Sequence, residues 1–74
     1  MPEEWTGNLI GKMHNNRITY DALGEKVGMT KSYISMILNG TRKPVGIREK
    51  LEAAVDELIA ERLRRNDVPI SQPN

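Results

Sequence analysis

The chain contains no cysteine and no phenylalanine, and it has one tryptophan and one histidine among its 74 residues. The absence of cysteine excludes a disulfide framework and a thiolate metal site, and it favours a reducing, cytoplasmic setting. The lone His14 has no cluster of carboxylates at metal-ligand spacing around it, so we expect neither a metal nor a cofactor. Without phenylalanine, the core must be filled by Leu, Ile, Val and Met together with Trp5.

Long apolar runs are also missing, since none approaches the roughly 20 residues that a membrane-spanning helix needs. The N-terminal residues MPEEWTGN are acidic where a secretory signal peptide would be basic. We therefore expect a protein that is neither membrane-bound nor exported. A chain of this length forms one small domain, because it buries only about 60% of its unfolded surface, and we expect no small-molecule ligand.

The sequence has no pair of carboxylates placed for acid/base catalysis, and we expect no enzyme activity. The acidic residues of the C-terminal third alternate with bases at helical spacing, which predicts i,i+4 ion pairs on a solvated helix face. These acidic residues are Glu49, Glu52, Asp56, Glu57 and Glu61. The basic residues Arg62, Arg64 and Arg65 that follow them are interpreted as a solvated last turn favoured by the helix dipole, with a second nucleic-acid contact as the alternative.

Charge is distributed unevenly along the chain, although the net charge is only +1. Residues 17 to 45 carry five bases and two acids, a net charge of +3, whereas the segments before and after are each −1. Positive charge gathered on one segment is expected where a protein face meets phosphates.

Apolar spacing and turn residues predict four helical segments, and hence an all-α bundle of four to five short helices. The segments are residues 2–15, 20–27, 31–38 and about 46–65, the last of them long and free of Gly and Pro from Ile47 to Arg65. We expect one folded domain over residues 1–66 and a flexible tail over residues 67–74, which contain two prolines.

The stretch YDALGEKVGMTKSYISMILN, from Tyr20 to Asn39, has the pattern of a helix-turn-helix. Gly28 falls where the first motif helix must end in a left-handed conformation. Gly24 lies on the inner face of that helix, where a side chain larger than Ala would hold the second motif helix away, and Thr30 caps the second helix. The apolar positions at helical spacing are Leu23, Val27, Ile34 and Ile37.

This pattern, continuous through LGEKVGMTKSYISMILNGTRKP, resembles the Cro and phage-repressor (XRE-like) family of helix-turn-helix regulators. The resemblance covers Ile10 to about Leu58 and implies a lambda-repressor-like fold that binds double-stranded DNA. Two positions depart from the family, which often has Gln in place of Tyr20 and usually has Ala in place of Gly24.

Matched residue by residue, the resemblance assigns the base contacts to the outward face of the second motif helix, at Lys31, Ser32, Ser35 and Met36. Phosphate contacts are assigned to residues that begin or flank the two helices. These are Arg17, Thr19, Tyr20, Thr30, Thr41, Arg42 and Lys43, with Tyr33 either stacking on the sugar-phosphate wall or shielding its own helix.

The C-terminal helix is longer than one small motif needs, which leaves Leu58, Ile59 and Leu63 without an obvious partner in the chain. We expect these three residues to form a homodimer interface. The alternative is that the first helix folds back over them, with Trp5 as the cover.

The function predicted is a sequence-specific DNA-binding transcriptional regulator, in the form of a repressor that binds a pseudo-palindromic operator as a homodimer. Two alternatives remain open. One is a protein-interaction module such as an antirepressor or antitoxin, and the other is a nucleoid-type protein that binds DNA without sequence preference.

Overall fold

The computed structural model describes residues 3–67, which contain four helices and no strand. Helix α1 begins at Glu4, two residues later than predicted, and the long last helix runs uninterrupted to Asp67. Asp67, predicted to begin the tail, belongs to this helix, and residues 68–74 of the predicted tail lie outside the described part of the chain. The helices are α1 (Glu4–Asn15), α2 (Tyr20–Val27), α3 (Lys31–Leu38) and α4 (Ile47–Asp67).

One apolar core joins all four helices. Helix α2 packs against α3 and α4, and α1 also packs against α3 and α4, so α4 packs on α1 and α2. The predicted apolar contacts of the motif are confirmed, since Leu23, Ile34 and Ile37 are buried and the half-buried Val27 packs against the core. The buried core residues are Leu9, Met13, Leu23, Ile34, Ile37, Leu38, Ile47, Leu51, Ala54 and Val55.

Threonine hydroxyls cap the two motif helices. The Oγ1 atom of Thr19 accepts a hydrogen bond from the backbone N–H of Ala22 at 3.0 Å, and the Oγ1 atom of Thr30 accepts one from Tyr33 at 3.1 Å. Each cap satisfies a backbone donor that the first helical turn leaves free, which is worth about 1 kcal/mol per helix. The prediction of a cap at Thr30 is confirmed.

The turn between α2 and α3 depends on two glycines. Gly28 has φ 77°, the left-handed conformation predicted for the end of α2. At Gly24, an added Cβ would lie 2.5 Å from the carbonyl oxygen of Met29, well inside contact distance. The prediction that Gly24 tolerates Ala is therefore wrong, because the turn passes closer to α2 than the sequence pattern indicated.

Ion pairs hold α4 to its neighbours, and the prediction of i,i+4 pairs along α4 is largely wrong. Among the described residues, only Arg48 and Glu52 form a pair within α4, at 3.1 Å. The cross-helix pairs are Lys12 with Asp56 at 2.6 Å, Lys26 with Glu57 at 3.2 Å and Lys26 with Glu61 at 2.5 Å. Asp56, Glu57 and Glu61 thus pair with bases of α1 and α2, although Asp56 and Glu57 stay mostly exposed to solvent.

Trp5 lies near the start of α4. The alternative arrangement predicted it near the other end of this helix, over Leu58, Ile59 and Leu63. Its half-buried ring lines a cleft with Ile37 and Ile47, near the start of α4, and its Nε1–H donates to Glu3 at 2.8 Å. Trp5 therefore does not cover Leu58 to Leu63. Within residues 3–67, no helix has an apolar stretch long enough to cross a membrane.

Candidate nucleic-acid interface

Helix α3 has a buried face and an outward face. Ile34, Ile37 and Leu38 are at most 2% exposed and anchor the helix on the core. At 100° per residue, Ser32 and Met36 fall on the opposite side of the helix. An eight-residue helix held by three buried aliphatic side chains can present its other face rigidly to a groove of DNA.

The four predicted base-contacting residues are unequally exposed. Lys31 and Ser32, in the first turn of α3, are exposed, whereas Ser35 and Met36 are half-buried. The first turn of α3 therefore presents two exposed side chains to a ligand. The Met36 side chain offers only part of its surface, which suits an apolar contact such as a thymine methyl group.

Asn39 is a further polar residue on the outward face. No base contact was predicted for it from the sequence. It is exposed, and it follows Ser32 and Met36 at the i, i+4, i+7 spacing that aligns side chains on one helix face. Its Oδ1 accepts a hydrogen bond from the hydroxyl of Thr41 at 3.0 Å. Extending the helical spacing by one more turn would have identified this residue.

The start of α2 is a second region predicted to meet DNA. Thr19 is exposed and its hydroxyl oxygen is used in the cap, which leaves the hydroxyl proton free to donate. Tyr20 is half-buried and packs against the core, so its ring has a structural role whether or not its hydroxyl reaches a phosphate. The first backbone N–H groups of α2 point outward at the positive end of the helix dipole.

Thr30 and Tyr33, at the start of α3, have similar roles. Thr30 is exposed and caps α3, whereas Tyr33 is half-buried and packs against the core. Of the two interpretations of Tyr33, the packing supports shielding of its own helix for at least part of the ring.

Arg17 is the one residue other than glycine, within residues 3–67, that has a positive φ, at 56°. Its backbone N–H donates to the carbonyl of His14 at 3.1 Å, and the N–H of Ile18 donates to Met13 at 2.8 Å. This pair of bonds is a Schellman motif, in which the left-handed position usually holds Gly. The Arg17 side chain is exposed immediately before the α2 N-terminus, where the predicted phosphate contact would need it.

The loop between α3 and α4 carries the other predicted phosphate contacts, and Thr41, Arg42 and Lys43 are all exposed. The Nζ atom of Lys43 lies 3.5 Å from a carboxylate oxygen of Glu3. Since both side chains are more than half exposed, this pair is weak and a phosphate could replace the carboxylate.

Lys26 belongs to the motif in sequence, but its charge is used elsewhere. Hydrogen bonds from Lys26 to Glu61 and then Glu57 raise the pKa of Lys26, and the bond to Lys26 lowers the pKa of Glu61. Lys26 is therefore paired with α4 on the side away from the outward face of α3. Of the five bases in residues 17–45, Arg17, Lys31, Arg42 and Lys43 are left for the predicted DNA contacts.

The residues predicted to form a dimer interface are not equally free. Leu58 and Ile59 are half-buried and pack against the core, so the expectation that they lack an intrachain partner is wrong. Leu63 is 63% exposed. The interpretation of Arg62 as a solvated residue is also wrong, because it is half-buried and its Nη1–H donates to the backbone carbonyl of Asn16.

Comparison with known families identifies the motif. Residues 15–44 match the family model described as Helix-turn-helix, a segment that runs from the end of α1 to the loop after α3. Neither a curated protein nor a solved structure matches the chain significantly. The matched segment contains the capped α2, the tight turn at Gly24 and Gly28, and the outward face of α3. Residues 15–44 therefore form a helix-turn-helix similar to that of DNA-binding regulators.

Proposed function

We propose that this protein is a repressor that binds a pseudo-palindromic operator as a homodimer. The observation that carries the proposal is the division of α3 into a face anchored by Ile34, Ile37 and Leu38 and an outward polar face. A helix fixed in this way discriminates between bases, because its side chains meet the groove at constant positions.

The chemistry of the outward face suits base recognition in the major groove. Lys31 can donate to O6 or N7 of guanine, and the hydroxyl of Ser32 can pair with several bases. Met36 suits a thymine methyl group, and Ser35 is a further candidate. Asn39 can pair with adenine through its amide if the groove brings it within reach.

Phosphate contacts would fix the register of α3 on the duplex. Arg17 lies before α2, and Arg42 and Lys43 lie after α3, so these bases bracket the outward face along the chain. Contacts from both sides would hold the helix in the groove without reading sequence themselves.

Dimerisation is proposed to use the free end of α4, with Leu63 as the exposed apolar residue and with the uncovered surfaces of Leu58 and Ile59 beside it. A two-fold contact there would pair identical surfaces, as most soluble dimers do. It must also hold two copies of α3 about 34 Å apart, one turn of DNA, to read two half-sites. Repression would follow from occupation of promoter DNA.

The direct test is selection of bound sites from random duplex DNA, followed by a salt titration of the selected and scrambled sites. A repressor should yield a site with two inverted half-sites and bind it at least about 1,000-fold more tightly than scrambled DNA. Equal binding to all sequences would support the nucleoid-type alternative. No binding to any DNA would support the protein-interaction alternative.

Variants separate the two kinds of contact in the same assay. Lys31→Ala should relax preference at particular base pairs, whereas Arg42→Ala should weaken all sequences alike and lower the salt slope by about 0.9. Lys50→Ala is the matched control, since it removes one exposed positive charge from α4. If Lys31→Ala and Lys50→Ala had the same base preferences, the assignment of Lys31 as a base contact would be wrong.

The dimer is tested by sedimentation of Leu63→Asp. This variant should remain folded, because Leu63 is mostly exposed, and it should be monomeric at concentrations where the wild type is dimeric. Ala53→Asp places the same charge at another exposed position of α4 and should leave the dimer intact. A dimeric Leu63→Asp variant would move the interface to another surface.

A further inference from the structure

The turn between α1 and α2 is tied to the far end of α4 through a single side chain. Arg62 lies near the C-terminal end of α4 and is half-buried. Its side chain donates to the carbonyl of Asn16, 46 residues earlier in the chain. Asn16 is the C-cap residue that follows α1, and its carbonyl has no acceptor role within the helix. Arg62 thus satisfies a backbone acceptor at the end of α1.

The bonded carbonyl belongs to the peptide group between Asn16 and Arg17. The N–H of the same peptide group donates to the carbonyl of His14 at 3.1 Å, so the group is held on both sides. The orientation of this peptide plane sets φ of Arg17, because φ is the rotation about the bond that follows it. Arg17 keeps a φ of 56°, a conformation that is unfavourable for a residue with a Cβ.

We infer that Arg62 is a positioning residue for DNA binding, which fixes the Asn16–Arg17 peptide and thereby presents the Arg17 side chain to a phosphate. The inference rests on the proposed phosphate contact of Arg17. In this proposal Arg62 acts through the protein backbone, because its Nη1–H donates to the carbonyl of Asn16. A guanidinium suits this task, since it remains charged at any physiological pH and its bond to a carbonyl is charge-assisted.

The binding test compares Arg62→Ala with Arg64→Ala on the selected DNA site. Both variants remove one positive charge from the last turns of α4, but Arg64 is exposed and lies on another face. Arg62→Ala should bind about tenfold more weakly and lose about 0.9 from the salt slope, as expected when one charged contact is lost. Arg64→Ala should match the wild type in both. Equal affinity and slope in the two variants would overturn the inference.

A double-mutant cycle distinguishes positioning from an independent contact. If Arg62 acts through Arg17, the Arg17→Ala, Arg62→Ala double variant should bind as Arg17→Ala alone does. Additive losses would show that Arg62 acts by another route and would overturn the inference. Arg62→Gln, which keeps an N–H donor without the charge, should recover part of the lost salt slope.

Amide exchange in the free protein tests the positioning itself, without DNA. The N–H groups of Arg17 and Ile18 should exchange at least about tenfold faster in Arg62→Ala than in Arg64→Ala, whereas core amides such as that of Leu51 should not differ. Unchanged exchange at Arg17 would overturn the inference. If these amides respond and the wild type binds no DNA, the proposed function fails while the tie between α4 and the turn stands. Should Arg62→Ala not fold, Arg62→Met, which keeps the length of the side chain without an N–H donor, serves in its place in all three measurements.

Discussion

The ends of α1 and α3 have the same hydrogen-bond pattern but different residues at its left-handed position. At the end of α3, Gly40 donates to Ile37 at 3.1 Å and Thr41 donates to Met36 at 2.8 Å. The end of α1 has the same two bonds, at the same lengths, from Arg17 and Ile18. Gly40 has φ 87° and Arg17 has φ 56°.

Backbone geometry alone therefore does not explain why position 17 is an arginine and not a glycine. Glycine reaches the left-handed region without steric cost, whereas a residue with a Cβ loses about 1–2 kcal/mol there. A side chain that is retained at this cost is a candidate for function, since strained conformations persist where the surroundings hold them. At the end of α3 the left-handed position is a glycine. The predicted phosphate contacts there belong to the residues that follow it, Thr41, Arg42 and Lys43.

The largest effect on stability is expected in α2, at Gly24. There the close approach of the turn, and not a positive φ, excludes a side chain. Gly24→Ala should destabilise the protein by about 1–3 kcal/mol, because the new Cβ would meet the carbonyl of Met29 at 2.5 Å. Gly7→Ala is the matched control, since Gly7 is helical with nothing within 4 Å of an added Cβ, and it should stabilise by about 0.5–1 kcal/mol. Thermal melts of the two variants should move in opposite directions. A shift of the same sign in both would show that α2 and the turn can separate.

Gly40→Ala should be the next largest effect. It should cost about 1–2 kcal/mol, because the end of α3 requires the left-handed conformation. Gly28→Ala is the reference for the backbone cost alone, since φ there is 77° and nothing lies within 4 Å of an added Cβ. Urea unfolding should give similar losses for the two variants. If Gly40→Ala were neutral, α3 could end in another way and the comparison with α1 would fail.

Arg17→Gly should have the opposite sign. Relief of about 1–2 kcal/mol of backbone strain, offset by roughly 0.5–1 kcal/mol for the freer unfolded chain, should leave a net gain of about 0.5–1 kcal/mol. DNA binding should weaken, with a salt slope lower by about 0.9. Arg17→Ala separates the two effects, since it keeps the Cβ and loses only the guanidinium. If Arg17→Gly bound DNA as the wild type does, the side chain would have no role there.

The pH dependence of stability should show the smallest effect, through the Lys26–Glu61 pair that joins α2 to α4. Hydrogen bonding to Lys26 lowers the pKa of Glu61, so its stabilisation is present above pH 4.5 and is lost as the pH falls through the folded value. The pKa of Lys26 is raised, so its stabilisation is present below pH 10.5 and is lost as the pH rises through the folded value.

The measurement is the difference in unfolding free energy between the wild type and Glu61→Gln as a function of pH. This difference should be constant between about pH 5 and 10 and should shrink at both extremes. Glu49→Gln, which alters an exposed carboxylate near the start of α4, is the control and should show a smaller difference. A difference that grew below pH 4.5 would contradict the direction of the Glu61 shift.

Much of the helix-turn-helix could be predicted from sequence, because its signals are local. The capping Thr19 and Thr30, the left-handed Gly28 and the apolar spacing around Ile34 each act within one or two turns of helix. Local signals predicted α2 and α3 with their observed bounds, and the absence of Gly and Pro after Ile47 predicted one long α4. The base and phosphate contacts remain predictions.

Contacts between distant segments could not be predicted in the same way. The i,i+4 rule paired the acidic residues of α4 with bases of α4, but Lys12 and Lys26 are closer in space. Counting charge by segment assigned Lys26 to the DNA-binding face for the same reason. The number of residues between two charged side chains does not tell which face of one helix packs against another helix.

The sequence by itself determined the four helices, their caps and the identity of the motif, since backbone dihedral preferences and apolar periodicity act over a few residues. Only the tertiary structure decided how close the turn at Met29 comes to Gly24, that Lys26 of the motif pairs with Glu61 of α4, and that Arg62 reaches the carbonyl of Asn16. These depend on the packing of α4 across α1 and α2, where distance in space is unrelated to distance along the chain.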